Sequence, residues 1–108
     1  MTLFEKIIAR EIPADIVFED ELCLAFRDIN PQAPVHVLII PKTRIRTIND
    51  MRPEDAEVFG KLFLAARDIA AEHGVAEDGY RVVMNCNSAA GQTVFHVHLH
   101  LLGGRGLD

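Results

Sequence analysis

The sequence predicts an α+β fold, in which a five-stranded antiparallel sheet packs with a short N-terminal helix and one long helix. Five short apolar runs are typical of strands, and two segments carry apolar residues at helical spacing. The helical segments are largely segregated from the strands, which favours an antiparallel sheet. A length of 108 residues is that of one domain, so we expect a single domain over residues 1–108.

The short helix is predicted by its cap. Thr2 and Glu5 stand three residues apart, the spacing of a capping box, in which each side chain bonds to the backbone of the other residue. We expect this helix to run to about Arg10 and to be stopped by Pro13.

Apolar runs bounded by turn residues predict the strands. They are Ile16–Phe18, Leu22–Phe26, Val35–Ile40, Tyr80–Asn85 and Phe95–Leu102. The first two form a predicted hairpin. The third is nearly all apolar, which indicates a central position in the sheet. The long helix is predicted over residues 53–73, with Pro53 in its first turn and Gly74 as its C-cap.

Composition excludes several classes of function. The formal net charge of −5 argues against a protein that binds a nucleic acid polymer by general phosphate neutralisation. No apolar run approaches the roughly 18 residues of a membrane span, and we expect no signal peptide and no membrane partner. The two cysteines, Cys23 and Cys86, lie in apolar runs and are interpreted as reduced, which favours a cytoplasmic location.

Three of the five histidines stand at alternate positions, as His96, His98 and His100. In a strand these three imidazoles share one face, while the apolar residues between them bury the other. Histidine serves as a nucleophile, an acid, a base or a metal ligand, so the pattern indicates chemistry.

Three interpretations of this pattern are open. One metal ion is a poor fit for all three rings, because residues four apart in a strand are separated by about 13 Å at their Cα atoms, although two of them with His36 remain an alternative zinc site. A purely structural use is the second interpretation. The third is phosphate chemistry, in which the middle ring, His98, attacks phosphorus while its neighbours donate hydrogen bonds to the oxygens.

Separate segments of the chain share their pattern with one known family. Residues 91–102 hold the alternating histidines after a Gly-Gln-Thr run, and residues 4–14, 23–36 and 102–105 also match. In this order they resemble the Hint branch of the histidine triad (HIT) family, over nearly the whole chain. The resemblance implies a HIT-like fold, a homodimer whose sheets join across the two-fold axis, and purine nucleotide binding. It also implies hydrolysis of nucleoside phosphoramidates and acyl-nucleotides, with no cofactor required.

The resemblance also implies roles for single residues. His98 is the expected nucleophile, which forms a nucleotidyl-histidine intermediate. His100 and Thr93 are expected to hold the α-phosphate, and His96 and His36 to orient or relay protons around the nucleophile.

Further positions match the nucleotide pocket of the family. Asp28 is expected to bind the ribose hydroxyls, and Asn85 and Gly91 to lie near the phosphate. The base pocket is expected from apolar positions: Leu3, Phe4, Ile7, Phe26, Ile29 and Leu38.

Two other functions stay open at this point. One is the related Fhit-like branch, which cleaves dinucleoside polyphosphates, and the other is a non-catalytic nucleotide-binding regulatory dimer. The Gly-Gly-Arg ending and the N-terminal helix favour the Hint branch.

Overall fold

One antiparallel sheet of five strands organises the computed structural model, which describes residues 1–107. The helices and strands are α1 (Leu3–Ile8), β1 (Ile16–Glu19), β2 (Cys23–Arg27), β3 (Val35–Pro41), α2 (Ala56–Glu72), β4 (Tyr80–Val83) and β5 (Leu99–Gly103). The spatial order is β1-β2-β3-β5-β4, so the apolar third strand is central as predicted. The predicted fold class is confirmed.

The predicted capping box of α1 is confirmed, but the helix is shorter than predicted. The Thr2 side chain accepts from the Glu5 N–H at 3.2 Å, and the Glu5 carboxylate accepts from the Thr2 N–H at 2.9 Å. The helix ends at Ile8 rather than Arg10, because Arg10 adopts a left-handed φ of 62°. The chain has therefore left the helix before it reaches Pro13.

The long helix also begins later than predicted. Pro53 opens a separate 3-10 turn, Pro53–Asp55, and α2 starts at Ala56. At the other end Gly74 has a φ of 74°, the left-handed conformation that a helix C-terminus commonly uses.

Each face of the sheet carries its own apolar core. On one face α2 packs its buried Leu62, Ala66 and Ile69 on side chains of β2, β3 and β5. On the other face α1 contributes Phe4 and Ile7, which pack with alternate residues of β2 and β3. The histidines belong to this second face, because they alternate with residues buried under α2.

The predicted histidine strand is wrong over its first half. Strand β5 begins at Leu99, so His96 and His98 precede it and only His100 lies within it. The reason is where the backbone hydrogen bonds go, since the Val97 N–H donates to the Ile45 carbonyl at 2.8 Å, in the loop after β3. The alternation of faces still holds, because Val97, Leu99 and Leu101 are fully buried.

Both cysteines are free thiols, Cys23 buried in the α2 core and Cys86 half-buried after β4. Within residues 1–107, no helix has the length and apolar character needed to cross a membrane.

Candidate active site

A cleft of about 270 Å³ opens between α1 and the histidine-bearing face of the sheet. Most of the predicted pocket residues line it: Leu3, Phe4, Ile7, Phe26, Asp28, Ile29, Leu38 and Thr93, together with His98 and His100. Further lining residues were not predicted: Ile12, Pro13, Ala14, Arg27 and Val94. Three of these lie in the segment between α1 and β1, and the apolar Ile12 and Ala14 were the signal that could have placed them beside the cleft.

His98 lines the cleft with its tautomer fixed by the backbone. Its Nδ1 lies 2.8 Å from the carbonyl oxygen of His96. A carbonyl only accepts, so Nδ1 carries the proton and Nε2 keeps its lone pair. Burial lowers the pKa of His98, which holds the ring neutral. An unprotonated imidazole nitrogen is the form that attacks an electrophile.

A chain of hydrogen bonds orients His100. The backbone N–H of Gln32 donates to Nδ1 of His36 at 3.0 Å, so His36 carries its proton on Nε2. That Nε2 lies 3.0 Å from Nδ1 of His100, which must then accept. His100 is thereby left with an Nε2–H, a donor suited to a phosphoryl oxygen.

Burial also keeps His100 neutral. It lowers the pKa of His100 to about 4, and the adjacent His98 and His36 rings add to the shift because positive charges so close would repel. The ring centroids of His98 and His100 are 5.1 Å apart. One neutral ring therefore presents a lone pair and the next presents an N–H.

Asp28 follows β2, near the His36–His100 pair. One carboxylate oxygen accepts from the Asn30 N–H at 2.8 Å, and the other lies 3.5 Å from Nε2 of His36. Because Asp28 also lines the cleft, its carboxylate can accept hydrogen bonds from hydroxyl groups of a bound molecule.

His96 takes a different place from the other two triad histidines. It is fully buried and does not line the cleft. Its Nε2 donates to the Pro41 carbonyl at 2.7 Å, and its Nδ1 has no hydrogen-bond partner within residues 1–107. Burial lowers its pKa. The ring packs edge-on against Phe4, behind the wall that carries His98.

Asn85 and Gly91 lie beside each other, outside the cleft lining. Gly91 has a φ of 101°, and a Cβ built on it would lie 4.0 Å from Nδ2 of Asn85. Of the three residues predicted near the phosphate, Asn85, Gly91 and Thr93, Thr93 lines the cleft. The expected place of Asn85 and Gly91 beside a phosphate stays a prediction.

Gln92 is a structural residue of this loop that the sequence did not single out. It is buried, and its side-chain oxygen accepts from the Asn87 N–H at 2.7 Å. Its amide nitrogen donates to the carbonyls of Arg46 at 3.0 Å and Val94 at 3.1 Å. Three segments that surround Thr93 are thereby tied to one side chain.

A divalent metal has one set of candidate ligands in the described chain. Ligand atoms of Asp28, His36 and His100 lie within 4.8 Å of one another. His36 and His100 already share a hydrogen bond, between Nε2 of the first and Nδ1 of the second. The donor types suit zinc, but their present arrangement serves hydrogen bonding.

Comparison with known proteins gives consistent results. The model of the HIT domain family matches residues 9–107. The chain is 56% identical over 106 residues to the purine nucleoside phosphoramidase of Escherichia coli, which covers 98% of this chain and 89% of that protein.

Solved structures are similar over the same extent. A HIT family hydrolase from Legionella pneumophila matches with a TM-score of 0.98 and 54% identity, over 100% of this chain and 96% of that one. A HIT family hydrolase from Clostridium thermocellum matches with a TM-score of 0.96 and 50% identity, over 99% and 93%.

Proposed function

The chain belongs to the HIT family, and on that premise we propose that it is a nucleotide-binding hydrolase acting on purine nucleoside phosphoramidates and acyl-nucleotides. The observation that carries this proposal is the unprotonated Nε2 of His98, on the wall of a cleft that Asp28 also lines. A nitrogen nucleophile and a carboxylate that can hold sugar hydroxyls are what such a substrate needs.

In this proposal the nucleoside lies under α1. The base packs against Phe4, Ile7 and Phe26, which are buried apolar walls of the cleft. The ribose hydroxyls donate to Asp28. The phosphoryl group then lies between His98, His100 and Thr93, where His100 Nε2–H and the Thr93 hydroxyl donate to its oxygens.

The reaction proceeds in two displacements. Nε2 of His98 forms a bond to the α-phosphorus, and the bond from phosphorus to the leaving nitrogen or acyl oxygen breaks. The His98 Nδ1–H stays on the His96 carbonyl, which stabilises the positive charge that the ring gains. Water then attacks phosphorus, the bond to His98 breaks, and a nucleoside monophosphate is released.

The proton for a leaving amine comes from solvent in this scheme. The Nε2–H of His36 is donated to Nδ1 of His100, and the Nε2–H of His100 is donated to the phosphoryl oxygen in this scheme. The departing nitrogen takes up one proton, and hydrolysis of the intermediate returns one. His36 and His100 are therefore assigned to orientation rather than to net proton supply.

The test is release of adenosine monophosphate from an adenosine phosphoramidate in excess chelator. We expect metal-independent release by the wild type and loss of release in His98→Ala. His73→Ala is the control for removal of a histidine, because His73 does not line the cleft. Its Nδ1 donates to the Ile69 carbonyl, and its Nε2 lies 3.4 Å from the guanidinium of Arg27, a lining residue that the variant retains. Wild-type turnover in His98→Ala would contradict the assigned nucleophile, and loss of activity in chelator would reinstate a zinc site.

Two outcomes would redirect the proposal. Preferential cleavage of diadenosine triphosphate would favour the polyphosphate-cleaving branch. Tight binding of adenosine monophosphate without turnover of either compound would favour a regulatory nucleotide-binding protein.

We further propose that the chain forms a homodimer through β4 and α2. Strand β4 is at one end of the strand order, so its outer edge has no partner strand within residues 1–107. On α2, Phe63 is 54% and Leu64 is 45% exposed, a pair of apolar side chains that a second copy would cover. Sedimentation should give a dimer for the wild type and a monomer for Phe63→Glu, while Met51→Glu, at another exposed apolar side chain, leaves the dimer intact.

A further inference from the structure

A second recess, of about 400 Å³, adjoins the nucleotide cleft, and we propose that it binds an anionic group on the leaving portion of the substrate. We call it the basic recess, and its walls include Leu3, Arg44, Arg46, Thr93, Val94 and Phe95. This inference rests on the proposed function and narrows its substrate class to phosphoramidates or acyl-nucleotides whose leaving group carries a carboxylate or a phosphate.

The position of the recess follows from the walls it shares. Leu3, Thr93 and Val94 line both cavities. Asp28 lines the cleft but not the recess, whereas Arg44 and Arg46 line the recess but not the cleft. A phosphoryl group held at Thr93, with its ribose at Asp28, therefore has the arginines on its other side, where the leaving group is attached.

Both guanidinium groups are held in place by Phe95. The Arg44 Nε donates to the Phe95 carbonyl at 3.1 Å, and Cζ of Arg46 lies 4.6 Å from the centre of the Phe95 ring. The backbone carbonyl of Arg46 accepts from Gln92, which also ties down the Thr93 segment. Groups fixed in this way lose less conformational entropy when they bind an anion.

The recess keeps a positive charge after its internal ion pair is counted. Arg44 lies 3.7 Å from the carboxylate of Glu5, whose pKa is lowered by its hydrogen bond from the Thr2 backbone. Arg46 makes no ion pair with a carboxylate within residues 1–107. Two cations thus face one carboxylate, in a chain whose net charge is −5. This local excess favours an anion at that point.

The experiment compares adenosine phosphoramidates that differ in the charge of the leaving amine. The probes carry γ-aminobutyrate, its uncharged amide, and aminopropyl phosphate. At low salt we expect the wild type to prefer the charged probes to the amide by about five-fold in kcat/KM, the scale of an exposed ion pair. The preference should fall to about one in Arg46→Gln, and a circular dichroism spectrum like that of the wild type shows that the variant is folded.

Arg67→Gln is the matched control, because Arg67 is an exposed arginine on α2 that pairs with Asp68. It makes the same charge change away from the recess and should keep the preference. A larger preference for the carboxylate or for the phosphate identifies which anion the recess takes. Hydrolysis of the charged and uncharged probes at the same measurable rate in the wild type, or an unchanged preference in Arg46→Gln, overturns the proposal.

A binding measurement separates this inference from the proposed function. The same probes are titrated into His98→Ala, which cannot form the intermediate, and into His98→Ala combined with Arg46→Gln. Tighter binding of the charged probes that depends on Arg46 supports the recess even if the wild type hydrolyses none of them. Equal binding of charged and uncharged probes rejects the recess even if hydrolysis occurs.

Discussion

Nδ1 of His98 lies 2.8 Å from the carbonyl oxygen of His96, so the backbone two residues upstream decides which ring nitrogen of His98 is free. The His96 side chain is itself anchored to the Pro41 carbonyl at 2.7 Å. His96 thereby fixes the carbonyl that orients His98, although its own ring is buried behind the cleft wall. In this pair the backbone of His96 positions the His98 ring, and the side chain of His96 anchors that backbone to β3.

The pH dependence of turnover should reflect the burial of His98. Burial lowers the pKa of His98, and only the neutral ring attacks phosphorus. As pH falls, activity should therefore persist below the ordinary histidine value of about 6.5 and decline only at more acidic pH. The measurement is the acid limb of the kcat/KM profile with a phosphoramidate. A midpoint at or above that ordinary value would contradict the neutral, buried ring.

Stability should also decrease in mild acid. The unfolded chain protonates its histidines near pH 6.5, whereas native His100 has a pKa of about 4. Between these values the unfolded state binds more protons, so the free energy of unfolding falls as pH falls through this window. Urea denaturation at several pH values measures it. His100→Gln should reduce the slope, and an unchanged slope would contradict the prediction.

His36→Ala should lower kcat with little effect on the affinity for adenosine monophosphate. Without the His36 Nε2–H, Nδ1 of His100 is no longer held as an acceptor, and the donor to the phosphoryl oxygen is lost in part of the molecules. The expected loss is up to about 100-fold, the scale of one lost oxyanion donor. Nitrogen NMR of His100 should show mixed tautomers. A single unchanged tautomer would rule out the orienting role.

Two glycines should respond oppositely to alanine. A Cβ on Gly103 would lie 3.0 Å from Cβ of Val75, so Gly103→Ala should destabilise the fold by about 1–3 kcal/mol. A Cβ on Gly60, within α2, meets nothing within 4 Å, so Gly60→Ala should stabilise it by about 0.5–1 kcal/mol. Urea denaturation measures both, and changes of the same sign in the free energy of unfolding would contradict the prediction.

The features that sequence predicted well are those set by near neighbours. The capping box of Thr2 and Glu5 spans three residues, and the apolar run of β3 is long enough to demand burial on both faces. The histidine strand failed because Val97 bonds to Ile45, a partner more than fifty residues away. Alternation along the chain indicates a shared face, but it does not show which backbone groups pair.

The sequence identified most residues of the candidate site, but it did not predict how their side chains are arranged. The pattern placed His36 near the triad, yet the direction of the hydrogen bonds from Gln32 to His100 depends on geometry across two strands. The separation of His96 from the cleft had no signal in its spacing. The same holds for Arg44 and Arg46, whose position beside Thr93 depends on how two loops meet.

The apolar core beneath α1 has one consequence for energetics. Phe4, Ile7, Phe26 and Leu38 belong both to that core and to the wall of the cleft. A purine seated there would be packed as an interior side chain is packed, and the six-residue helix would gain contacts from its ligand. Ligand binding should then stabilise the packing of α1 on the sheet. Slower amide hydrogen exchange in α1 would report the fraction of protein that has ligand bound.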